Sequence, residues 1–157
     1  MGPPKETPIG LLLNQTAKRL SRAFDDALAA VGGSLPMWLI LVSLIRQGKL
    51  SHGELAQRVG VQGPTLTHHL DAMAEQGLIL RERLPDNRRV QVASLTPAGV
   101  AAFHRLRNAA AKYDRRIRSS LSDAELTQMR TLLIRLAQDF AEPPSQHHQE
   151  SKNERSV

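Results

Sequence analysis

The 157 residues contain no cysteine, which excludes disulfides, iron–sulfur clusters, thiolate zinc sites and thiol redox sensing. Aromatic residues are nearly as scarce: three Phe, one Tyr and one Trp. Leu and Ala supply the apolar bulk instead, as suits helices that pack through aliphatic side chains. No apolar run approaches the ~20 residues a membrane span requires, and the N-terminus has no signal-peptide-like apolar segment. A soluble cytoplasmic protein with no membrane partner is expected, of one domain plus tails. The sequence also lacks a nucleophile–base motif, a glycine-rich phosphate loop and paired catalytic carboxylates. No enzymatic activity and no cofactor are therefore expected.

What is present in excess is positive charge, a formal +6 with a pI near 10.5. Such a balance suits a polyanionic partner, and equally suits a merely soluble basic surface. Its distribution decides little by itself. Residues 51–100 carry five basic and five acidic side chains, whereas 101–140 carry eight and four. Position along the chain has to make the case.

Residues 1–8 are rich in Pro and read as a flexible arm. From Ile9 the pattern becomes helical, with Ile9, Leu12, Leu13, Thr16, Leu20, Phe24 and Leu28 on one stripe and Gly32-Gly33 as the stop. Ser34 to Pro36 restarts the chain into a second, largely buried helix through Trp38, Leu41, Val42 and Ile45, closed by Gly48. A capping box, Ser51-x-x-Glu54, opens a short third helix whose inner face is Leu55 and Val59. Gly60 ends it. A fourth helix spans about Gly63 to Gln76. Leu78–Arg83 and Arg89–Leu95 then read as a hairpin around the turn Pro85-Asp86-Asn87. Thr96-Pro97 starts a long helix using Val100, Phe103, Leu106, Tyr113 and Ile117. Ser122-x-x-Glu125 opens the last one, with Leu126, Met129, Leu133, Leu136 and Phe140. The polar stretch 141–157 reads as a disordered tail, and no internal repeat is present.

Two short helices joined by a tight turn and followed by a hairpin make a winged helix-turn-helix, so the expected fold is mainly α with a small β-hairpin wing. Stepping 100° per residue along the fourth helix puts Leu66, Leu70 and Met73 toward the core. Pro64, Thr65, His68, Asp71, Ala72 and Glu75 point away, with Thr67 on the flank. Near its N-terminus this outer face is small and hydrogen-bonding, suited to phosphates at the helix end and base edges beside it. An ordinary solvated face is the competing reading of that helix alone. The hairpin adds Arg81, Arg83, Arg88 and Arg89 against Glu82 and Asp86, and its tip can carry arginine into a minor groove.

The order and spacing of several short segments resemble the MarR (multiple-antibiotic-resistance regulator) family. They are Leu55-Ala56-Gln57-Arg58-Val59-Gly60-Val61, Thr65-Leu66-Thr67-His68-His69-Leu70-Asp71, Glu75-Gln76-Gly77-Leu78-Ile79, Pro85-Asp86-Asn87-Arg88-Arg89 and Leu95-Thr96-Pro97-Ala98-Gly99. The resemblance covers about residues 9–140. It implies a homodimeric regulator, more often a repressor, whose lobe at 34–99 binds duplex DNA while 9–33 and 100–140 supply dimerisation helices. The fourth helix would enter the major groove and a wing arginine the minor groove. The expected DNA contacts are Ser51, Gln62, Gly63, Pro64, Thr65, Thr67, His68, Asp71, Arg83, Arg88 and Arg89. Two positions depart from the family pattern: if Arg89 is the wing arginine, Asn87 stands where an Asp is usual, the alternative being Asp86 with Arg88 at the tip, and His68 stands where an Arg is frequent.

An effector site is expected beside Trp38, flanked by Leu13, Ala17, Phe103 and His104, for a planar aromatic acid or phenol. Trp38 as simple core filler is the alternative. His52, His68, His69 and His104 invite a metal reading, but adjacent histidines on a helix diverge by 100° and no metal site is expected. The basic run Arg105, Arg107, Lys112, Arg115, Arg116 and Arg118 reads as a solvated helix face or as contacts to flanking phosphates. Two rival functions stay open, a winged-helix protein–protein module without DNA contact and a small ligand-binding enzyme.

Overall fold

The structure is a computed structural model that describes residues 6–87 and 89–140. Most of the expected arm, the whole expected tail and Arg88 lie outside the described residues. The chain is mainly α, with six helices and one small sheet among the described residues: α1 (Ile9–Ala29), α2 (Leu35–Gln47), β1 (Lys49–Ser51), α3 (His52–Val59), α4 (Gly63–Glu75), β2 (Ile79–Arg83), β3 (Gln91–Leu95), α5 (Pro97–Arg118) and α6 (Asp123–Asp139).

Local signals account for most of these boundaries. Ser34 caps α2, with Pro36 in its first turn. Ser51 caps α3 and Ser122 caps α6, and in both boxes the cap's backbone N–H donates to the carboxylate of the Glu three residues on. Gly60 ends α3 with φ +72°, a left-handed conformation that a side chain would strain, and so permits the sharp turn into α4. Thr96 Oγ1 accepts from the Gly99 N–H at 3.0 Å and donates to the Gly77 carbonyl at 2.6 Å, fastening the start of α5 to the end of α4. Gly99 is needed there because a Cβ would stand 2.0 Å from the Leu78 carbonyl oxygen.

The sheet corrects the expected two-stranded hairpin. It has three antiparallel strands in the order β1-β3-β2. Lys49, Leu50 and Ser51 pair with Ser94, Ala93 and Val92, so the chain leaving α2 covers the edge of β3 before entering α3. Strands β2 and β3 are also slightly shorter than expected, beginning at Ile79 and Gln91.

Contacts divide the chain into one compact unit ending at Arg115 and a second beginning at Arg116. In the first, the core joins Leu28, Ile40, Leu41, Leu44, Leu55, Leu66, Leu70, Met73, Ile79 and Leu106. The expected buried face of α2 shifts by one position: Ile40, Leu41 and Leu44 are buried while Ile45 is exposed. Tyr113 on α5 donates its hydroxyl to the Leu20 carbonyl of α1 at 2.7 Å, and its ring lies 5.0 Å from that of Phe24. In the second unit, α6 has no buried residue.

Candidate nucleic-acid interface

Helix α4 follows the tight turn that ends α3, and its apolar side is sunk in the core. Leu66, Leu70 and Met73 are at most 2% exposed, and Pro64, Thr65, His68, Asp71 and Glu75 are exposed on the opposite side. No side chain caps its N-terminus and no carboxylate lies in its first turn. The N–H groups of Gly63 and Thr65 are therefore open to an external acceptor, and the positive end of the helix dipole is uncompensated. Helices α2, α3 and α6, by contrast, close their N-termini with a serine. Gln62 occupies the cap position of α4 without using its amide for that purpose.

Beside this end the wing forms the far wall of an open hollow of about 560 Å³, lined by His52, Arg83, Arg89 and Gln91. The two guanidinium groups give the hollow a positive rim with no carboxylate among its lining residues. The wing turn is built by backbone: Leu84 and Val90 pair by N–H to carbonyl at 3.1 Å, and the Val90 N–H reaches Asn87 at 2.9 Å. Asn87 Oδ1 accepts the Arg89 N–H at 3.2 Å. An amide oxygen therefore performs the turn-forming task that a carboxylate would perform, which gives a physical role to one departure from the family pattern.

The site residues expected from sequence separate into two groups. Pro64, Thr65 and His68 face outward, and Arg83 and Arg89 are exposed on the wing. Ser51, Thr67 and Asp71 already have partners. The Ser51 hydroxyl and N–H hold Glu54, and these bonds, the side-chain one foremost and with Arg58 nearby, lower the Glu54 pKa below its ordinary 4.5. The Thr67 hydroxyl donates to the Gly63 carbonyl at 3.0 Å and is hydrogen-bonded to His52 Nε2 at 2.9 Å. Asp71 forms an ion pair with Arg81. Sequence reasoning grouped His52 with possible metal ligands and counted Arg81 as a free wing charge, and it passed over Gln91. All three instead line the space between the helices and the wing. Only strand register signals this in advance, since it places residues 81 and 91 diagonally on one face.

Around the expected effector site, Trp38 stacks on Phe103 with ring centroids 5.7 Å apart and planes 4° from parallel, and His104 stands 5.4 Å from the Phe103 ring. Both rings are partly buried against the core, whereas Leu13 is exposed on α1. His68 and His69 have ring centroids 6.0 Å apart, and among the described residues no three His, Asp or Glu side chains converge on a metal-sized space. Nor, among the described residues, is any helix long and apolar enough to cross a membrane.

Residues 34–90 match the model of the MarR family. Over 125 residues the chain is 30% identical to a Thauera aromatica protein assigned to transcriptional regulation of the hcr operon, a match covering 79% of this chain and 75% of that protein. A crystal structure of a Pseudomonas aeruginosa protein assigned as a transcriptional regulator superposes with a TM-score of 0.71 at 30% identity, covering 82% of this chain and 96% of the other. A mutant of MarR from E. coli, solved in complex with operator DNA, has the same fold: its TM-score is 0.72 at 20% identity, with 82% and 93% of the two chains covered. The element order, the open end of α4, the arginine-rimmed wing and these likenesses together establish that the chain belongs to the MarR family of winged helix-turn-helix transcription regulators.

Proposed function

We propose that this regulator binds a pseudo-palindromic DNA duplex as a homodimer and acts as a repressor released by a small effector. The observation that carries the reading is the pairing of an uncapped α4 N-terminus with a hollow rimmed by Arg83 and Arg89. A helix end of that kind takes a phosphate, and the exposed Thr65 and His68 beside it reach base edges in the major groove. The wing, with Arg89 exposed beside its turn, is thin enough to follow the backbone into the adjacent minor groove. The MarR structure solved with operator DNA supports this docking.

Dimerisation is supported by the apolar side chains that one copy leaves in solvent. Ile9, Leu11, Leu12 and Leu13 on α1 and Met129, Leu132, Leu133 and Leu136 on α6 are between 37% and 70% exposed. A soluble monomer rarely displays so many large apolar groups on so few elements. Two lobes related by a two-fold axis would present two α4 helices about one helical turn of DNA apart. The stacked Trp38–Phe103 pair, with His104 beside it, supports a planar aromatic acid or phenol as the effector. Such a ligand would insert against the stack and change the lobe spacing.

Affinity selection from random duplex DNA tests the reading. The recovered sequences should contain two inverted half-sites whose centres lie about one turn apart. Recovery of no enriched sequence would favour a protein-binding use of the winged helix.

A further inference from the structure

Arg81 stands in the middle of β2, where the inner face of the sheet leaves the core. Its same-face neighbours along the strand are the buried Ile79 and the exposed Arg83. Directly opposite on β3 is Ala93, buried and small enough to leave the guanidinium a path toward α4. One guanidinium nitrogen donates to Asp71 Oδ1 on α4, and the other donates to Gln91 Oε1 on β3 at 2.7 Å. The Arg81 side chain is only 21% exposed, against 53% for Asp71. A half-sheltered guanidinium with both terminal nitrogens engaged by two different elements is a joint between them, not a charge held ready for phosphate.

We propose that Arg81 is a positioning residue which, with Asp71 and Gln91, fixes the angle between α4 and the wing, so that the two meet the duplex in a single register. The proposal rests on the DNA-binding reading above. A second contact holds the same flank of the helix one turn earlier: Thr67, four residues before Asp71, is tied to His52 of α3. The flank of α4 nearest the wing is thus occupied in holding the helix, and base reading falls to the outward-facing Thr65 and His68. Phosphate attraction tolerates a swivelled wing, whereas simultaneous fit into two grooves does not. The joint therefore acts on sequence selectivity rather than on general affinity for DNA.

Charge alone predicts the opposite for Asp71, because removing a carboxylate that faces a polyanion should tighten every duplex. The experiment measures binding of the full chain to the duplex recovered by selection and to a scrambled duplex of equal length, with D71N, R81Q and the double variant. Each single change is expected to weaken the selected duplex about tenfold while leaving the scrambled one unweakened, and the double variant should be no worse than either single, as coupled residues behave. The salt slope of R81Q should match that of the parent. In the free protein, amide exchange over 83–91 should quicken in both single variants. Tighter binding of both duplexes by D71N, together with a slope reduced by about one unit in R81Q, would make Arg81 a phosphate contact and overturn the proposal. Unchanged selectivity with unchanged exchange would also overturn it. A parent chain that selects no duplex overturns the DNA reading itself, an outcome separate from either of these.

Discussion

Helices α4 and α6 are both amphipathic, yet only α4 buries its apolar face within one copy of the chain. In α4, Leu66, Leu70 and Met73 are sealed into the core that the lobe builds from α2, α3 and the sheet. In the longer α6, Met129, Leu132, Leu133 and Leu136 are 39–44% exposed and no residue is buried. The same helical stripe thus does two jobs. In the lobe it completes a fold, and what it leaves outside is a polar face, the one proposed to read DNA. In α6 it remains unmatched, which on the present account makes α6 half of an interface between two copies.

The sharpest way to break this contrast is to damage each stripe in turn. Leu66→Ala opens a cavity in a finished core and should lower the unfolding free energy by about 2–5 kcal/mol in urea titrations. Leu133→Asp should instead leave the lobe folded and weaken self-association about a hundredfold, or about 2.7 kcal/mol. Sedimentation would then show a monomer-sized species at concentrations where the parent is a dimer. Parent-like sedimentation of that variant would remove α6 from the interface.

A smaller effect sharpens what the polar side of the lobe does. Arg83→Ala and Arg89→Ala should each lower the salt slope of DNA binding by about one unit without altering thermal stability, as lost phosphate contacts do. An unchanged slope would mean that the hollow stays in solvent. The smallest effect is one the two regions share. Glu54 in the lobe and Glu125 at the start of α6 both have pKa values lowered by hydrogen bonds from the serine three residues earlier, Glu54 chiefly by the side chain and Glu125 chiefly by the backbone. A carboxylate favoured in the folded state stabilises fully above its ordinary 4.5, and that contribution fades as pH falls through the lower folded value. Glu54→Gln with Glu125→Gln should therefore flatten the acid limb of a stability–pH curve and leave its neutral region nearly parallel to the parent.

The contrast between the helices also bears on what sequence could reveal. A 100° step placed Leu66, Leu70 and Met73 inside and Thr65 and His68 outside because helix geometry is local. Both capping boxes and the glycine stops were legible for the same reason. Strand β1 was not, since three residues carry no visible alternation and its pairing depends on β3, more than forty positions away. The roles of Arg81, Asp71 and His52 were hidden likewise: each is set by a partner on another element, and a wing arginine reads the same whether it faces phosphate or aspartate. Sequence exposed the outward polar face of α4 more readily than the contacts that hold the helix in place.

The central claim is that two copies of this chain read one duplex through paired α4 helices. Sedimentation velocity of the full chain mixed with a duplex recovered by selection measures it most directly. The account predicts a complex of two chains per duplex, and loss of that complex when one half-site is scrambled. One chain per duplex, bound equally well with either half-site scrambled, would contradict it.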